Sequence, residues 1–190
     1  MFLLVREALA GATDALLGGE PSEGSRVVAG DDSVDALTKE ITDTLWENVE
    51  RLVPANEELR RLVGLLLILP ELERSADLAE HIAQRAVYQL GPEMTPASRG
   101  IVQRMSDVAL EMWREAADSF LSGKPAGHSL DEADEELDIL LQRLTAEVGK
   151  ATMAAPVAAQ VALLGRFYER LGDHAVNLAR KIELLPGGTT

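Results

Sequence analysis

The chain has 190 residues, 46% of them apolar and only 4% aromatic, with a formal net charge of −14 and no cysteine. The length suits one large domain or two small ones, and a composition led by Ala, Leu, Glu and Arg favours helices over strands. The acidity argues against nucleic acid, anionic lipid and free phosphate as ligands and favours cations and basic partners, while the lack of cysteine excludes disulfides, thiolate catalysis and cysteine-type zinc sites.

In chain order, Phe2 to about Gly18 reads as a first helix ended by Gly18–Gly19. No basic residue precedes its short apolar run, so it makes a poor signal peptide. Glu20–Asp32 is rich in Gly, Pro and Ser and reads as a loop with at most one weak turn of helix. Ser33 is the expected N-cap of a second helix carrying Val34, Leu37, Ile41, Leu45, Val49 and Leu52 on one face. A turn at Pro54–Ala55–Asn56 leads into a long third helix, about 57–90, with Pro70 inside it and Gly91–Pro92 at its end. Pro70 predicts a kink, or two helices meeting there. The run Leu62–Leu69 is too short to span a bilayer, which needs roughly 20 residues. A fourth helix follows from Pro96 to Leu121, then a loop at 123–127. A fifth helix starts at Ser129 or Asp131, with Leu130, Leu137, Leu140, Leu141, Leu144 and Val148 inward. A sixth starts near Pro156 and runs to about Leu185.

The order helix, helix, long helix occurs twice, and the sequence repeats with it. ERSADLAEHIA from Glu73 matches ERLGDHAVNLA from Glu169 at Glu, Arg, Asp and both Ala positions. The expected fold is all-α: two tandem three-helix bundles, 1–92 and 93–190, resembling spectrin repeats.

Within each copy two acids stand four residues apart and so share a helix face: Glu73 with Asp77, and Glu169 with Asp173. One further step of four adds His81 and Asn177. Paired carboxylates repel, so a buried pair calls for a cation or a basic side chain; Ala76, Ala79, Gly172 and Ala175 permit a close helix neighbour. His174 points about 100° away from this face. Without further information, a solvated acidic face and a cation site are both open readings. A ferritin-like di-metal enzyme would need Glu-x-x-His, but Leu78 and Leu171 precede His81 and His174 by three. No nucleophile–base pair or phosphate loop stands out, so no enzyme is expected.

The blocks ELERSADLAEHIA and RFYERLGDHAVNLARKI resemble the two repeated signatures of the PhoU family. The likeness extends to GDDSVDAL and EADEELDILL and covers most of the chain. The resemblance implies a cytoplasmic, dimer-forming regulator between a phosphate-specific ABC transporter and a phosphate-sensing histidine kinase. It would hold the phosphate-starvation response off when phosphate is plentiful. It also implies iron, zinc or another divalent cation on paired E/D-x-x-x-D motifs: Glu73 and Asp77, Glu169 and Asp173, with partner motifs opening at Asp35 and Asp138. Read C-terminally, those partners continue to Lys39 and Gln142. The lysine predicts a poorer cation site in the first half and a preference for the second. The alternative is a metal-free adaptor whose acids meet basic partner residues.

Overall fold

The computed structural model describes residues 1–51, 56–126, 129–150 and 152–186, and every element among them is helical. The elements are α1 (Phe2–Gly18), α2 (Pro21–Arg51), α3 (Asn56–Val87), α4 (Leu90–Glu93), α5 (Pro96–Ser122), α6 (Ser129–Val148) and α7 (Ala155–Ile182). They form two three-helix bundles, α1–α3 and α5–α7, with the one-turn α4 between them. The expected turn at Pro54–Ala55 and the residues after Pro186 lie outside the described residues.

The main departure is α2, which begins twelve residues before Ser33. Pro21 takes the first turn, where a missing N–H costs nothing, and Glu23 complements the helix dipole. Gly24 is kept for packing: a Cβ there would stand 2.9 Å from the Ala83 carbonyl oxygen and 3.0 Å from Ala86 Cβ. The α2–α3 contact therefore compensates a composition that alone reads as loop, and Ser33 is an exposed residue inside the helix, not a cap. Gly19 (φ +71°) closes α1 and sends its N–H back to Ala15.

α3 runs unbroken through Pro70 and ends at Val87, three residues earlier than expected. Gln89 adopts a left-handed conformation (φ 56°) and turns the chain into α4, so Gly91–Pro92 lies inside a new turn. Thr95 caps α5, its hydroxyl accepting from Ser98 N at 3.1 Å.

The two bundles share one core. α1 packs against α2, α3 and α5, and α3 packs along α7. Trp113 is fully buried and donates to the Leu171 carbonyl at 3.0 Å. Farther along the core, Thr13 donates to the Leu9 carbonyl at 2.9 Å and accepts from Ser106 at 3.0 Å. Thr13 has a single proton, so Tyr168 is the donor in the 2.7 Å Thr13–Tyr168 bond. α1, α5 and α7 thus meet at one satisfied polar knot. Burial pushes the Tyr168 phenol well above its ordinary pKa, so it stays a neutral donor.

Candidate functional site

The repeated acids lie where α2 faces α3 and where α6 faces α7. In the first bundle, one carboxylate oxygen each from Asp31, Asp35 and Asp77 lie within 4.8 Å of one another. Asp31 and Asp77 are half-buried and Asp35 is exposed. Burial, and then Glu80, Asp77, Asp35 and Asp32, push the Asp31 carboxyl up from 3.8 to about 6. Hard oxygen ligands at this spacing fit a divalent cation, which would offset the repulsion. A cleft of about 390 Å³ opens beside Asp31, bordered by Glu7, Gly11, Arg26, Gly30 and Glu80.

The second bundle carries acids at the related positions, Asp134, Asp138, Glu169 and Asp173, although among the described residues only the first-bundle triad brings its oxygens within 4.8 Å. Burial, then Asp173 and Asp138, raise the Asp134 pKa, and Arg180 opposes the shift. Glu169 is raised chiefly by burial and further by Asp173 and Asp138, against Arg166. Arg166 donates to Glu169 Oε1 at 2.9 Å, while Glu169 Oε2 is buried with no hydrogen-bond partner. Gly172 lets α6 come close: a Cβ there would lie 3.3 Å from Asp134 Oδ1.

Sequence reasoning misses Asp31 and Asp134, although the spacing that finds them is plain. Each lies four residues before Asp35 or Asp138, giving D-x-x-x-D on α2 and on α6. The premise of the expectation built on Lys39, an ammonium among the site carboxylates, does not hold. Lys39 is exposed and pairs with Asp43 at 2.8 Å, on its own helix and outside the acidic group. Consecutive helices of a hairpin run antiparallel, so a step of four toward the C-terminus of α3 is matched by a step toward the N-terminus of α2.

Other predicted positions separate. Glu73 is half-buried but outside the close triad of Asp31, Asp35 and Asp77. His81 turns to α7 and stacks on Phe167, with ring centroids 5.5 Å apart. Asn177 is half-buried, one turn beyond Asp173. His174 points away from the acids, as its spacing predicts, and meets Glu71 at 3.1 Å.

Two copies of one acidic helix hairpin, joined by a shared core, are the feature that comparison can place. The PhoU domain family matches residues 1–86 and again 102–182, one match per bundle. The chain belongs to the PhoU domain family. A PhoU homolog of Aquifex aeolicus, named a phosphate-specific transport system accessory protein, is 30% identical over 176 residues, covering 90% of this chain and 79% of the relative. A Rhizobium meliloti PhoU homolog of the same name is 25% identical over 190 residues, covering 97% and 80%. The crystal structure of PhoU from Pseudomonas aeruginosa superposes with a TM-score of 0.89 at 24% identity, covering 97% of this chain and 91% of that one. PhoU from Streptococcus pneumoniae gives 0.84 at 18% identity, covering 97% and 88%. Among the described residues, no helix of this PhoU-family chain is long and apolar enough to cross a membrane.

Proposed function

We propose that this protein is an accessory regulator of phosphate uptake that works by contact rather than turnover. In this reading it acts as a cytoplasmic homodimer. It engages a phosphate-specific ABC transporter and a phosphate-sensing histidine kinase, and it keeps the starvation response off when phosphate is abundant. The observation that carries the reading is the family match through both repeats, together with relatives named as accessory proteins of phosphate-specific transport. The two units, 1–92 and 93–190, would present similar acidic hairpins to basic partner surfaces. Deleting the gene should leave starvation genes expressed in phosphate-rich medium. Normal repression in a deletion strain lacking a second copy would refute the proposal.

Each acidic cluster is proposed to hold a divalent cation: Asp31, Asp35 and Asp77 in the first bundle, and Asp134, Asp138, Glu169 and Asp173 in the second. The all-oxygen donor set suits iron, manganese, magnesium or calcium better than a closed zinc site. The close oxygens of the first triad and the unpartnered buried Glu169 Oε2 support this. A cation there would brace α2 on α3 and α6 on α7. The metal-free adaptor is the second reading, favoured by Arg166, which already pairs with Glu169. Metal analysis of untagged protein separates the two: stoichiometric metal lost in Asp77→Ala and Asp173→Ala supports the first, and metal-free protein that still represses supports the second.

A further inference from the structure

Outside the acidic clusters, one cation lacks the partner its repeat counterpart has. Lys181 on α7 pairs with Glu71 on α3. The offset that carries Glu73 to Glu169 carries Arg85 to Lys181 and Glu71 to Phe167. In the other copy, therefore, an aromatic ring replaces the acid. The Arg85 guanidinium lies 4.9 Å from the Phe167 ring centroid, and its Nη1 donates to the His81 carbonyl at 3.0 Å.

Stacking satisfies the flat face of a guanidinium and leaves its N–H edge to seek acceptors in the plane. Among the described residues no carboxylate pairs with Arg85, and its Nε is buried without a partner. Burial holds its pKa below the ordinary value, with only the nearby Tyr88 phenol opposing. A cavity of about 560 Å³ opens beside it between the end of α3, α4 and the start of α7. Arg85, Gln84 and Gln160 give it a polar side, and Leu90, Pro156 and Val157 an apolar one. Tyr88 lies on the wall and is 80% exposed. Glu93 also lines the cavity, and its carboxylate opposes an anion there, so Arg85 must outweigh it.

We propose that this cavity binds a small organic oxyanion, its phosphate or carboxylate group on Arg85 and its apolar body against Leu90, Pro156 and Val157. The cavity is far larger than an inorganic phosphate, so the body of the ligand contributes to binding. The proposal is independent of the regulatory reading, because neither it nor its test involves phosphate uptake. Apart from Glu93 on the wall, the acids of the chain oppose an anion through a field that salt of about 0.15 M screens, whereas the half-buried contact is screened less.

The test is NMR titration of the full chain in that salt with phenyl phosphate, benzoate and inorganic phosphate. Saturable shifts at Arg85 Nε–H and Tyr88 are expected for the two aromatic anions, with affinities at least about tenfold above that of inorganic phosphate. Arg85→Gln should abolish them. Val157→Trp, which fills the cavity while keeping Arg85, should abolish them too, with circular dichroism confirming that both variants fold. Absence of saturable shifts up to about 10 mM, a dissociation constant near the limit of specific recognition, would overturn the proposal. So would unchanged binding in either folded variant, or inorganic phosphate binding as tightly as phenyl phosphate.

Discussion

Lys181 donates to Glu71 across the α3–α7 contact, and the repeat-related positions hold Arg85 over Phe167. The two pairs fix the long helices as antiparallel, since 71 meets 181 and 85 meets 167. They also tie one bundle to the other by a charge pair at one point and by a stacked cation at the other. Glu71 has only 12% of its side chain exposed, and His174 stands 3.1 Å away on the other side. Lys181→Met should therefore leave a buried carboxylate with only His174 beside it and cost about 1–3 kcal/mol, between the exposed and the fully buried cases. The double variant Glu71→Leu with Lys181→Met should recover most of that. Urea denaturation of the four proteins in the cycle measures it, and independent additive losses would show that the pair is not coupled.

The hydroxyls at the core make an asymmetric prediction. Tyr168→Phe removes one donor while Ser106 still donates to Thr13, so the expected loss is about 1 kcal/mol. Thr13→Val leaves both Ser106 and Tyr168 without their acceptor, and the loss should reach about 2–4 kcal/mol. Thermal unfolding of the two variants checks the order.

Gly24 and Gly30 lie on the same helix and should respond oppositely to alanine. A Cβ at Gly24 meets a backbone oxygen at 2.9 Å, whereas one at Gly30 meets nothing within 4 Å. Gly24→Ala should destabilise by about 1–3 kcal/mol through overpacking. Gly30→Ala should stabilise by about 0.5–1 kcal/mol through helix propensity. Denaturant midpoints for the two variants decide it.

Acid stability follows from Asp31. Its folded pKa is about 6 against an ordinary 3.8, so the folded state holds the proton more tightly than the unfolded one. The favourable contribution is complete at the acidic end and fades as pH rises from about 4 to about 6. Wild type should lose stability relative to Asp31→Asn across that window, and the gap should then stay level to about pH 8. Divalent cation should narrow the gap at neutral pH and lose its effect as pH falls through about 6, because coordination requires the carboxylate. A gap that did not change with pH would disprove the coupling.

The helical class, the duplication and most helix bounds follow from apolar spacing, because steps of three and four commit a segment to helix whatever it packs against. The start of α2 does not. Residues 20–32 read as loop until Gly24 is seen pressed on Ala83, a contact 59 residues away in sequence. The acidic groups are half readable. Spacing points to Asp77 and Asp173, but their neighbours Asp31 and Asp134 depend on which way α2 and α6 run past the long helices. Spacing alone puts His81 on the acidic ladder, and a ring on another bundle, Phe167, draws it away.

The placement of Thr13 also bears on how the chain reaches this fold. Its two hydroxyl partners lie 93 and 155 residues farther along the sequence. When the chain emerges from the ribosome N-terminus first, α1 enters solution long before Ser106 and Tyr168 exist to receive it. At a synthesis rate of roughly 5–20 residues per second, that interval is many seconds. The first bundle therefore waits with an apolar flank open, and its assembly closes only when α7 has been made.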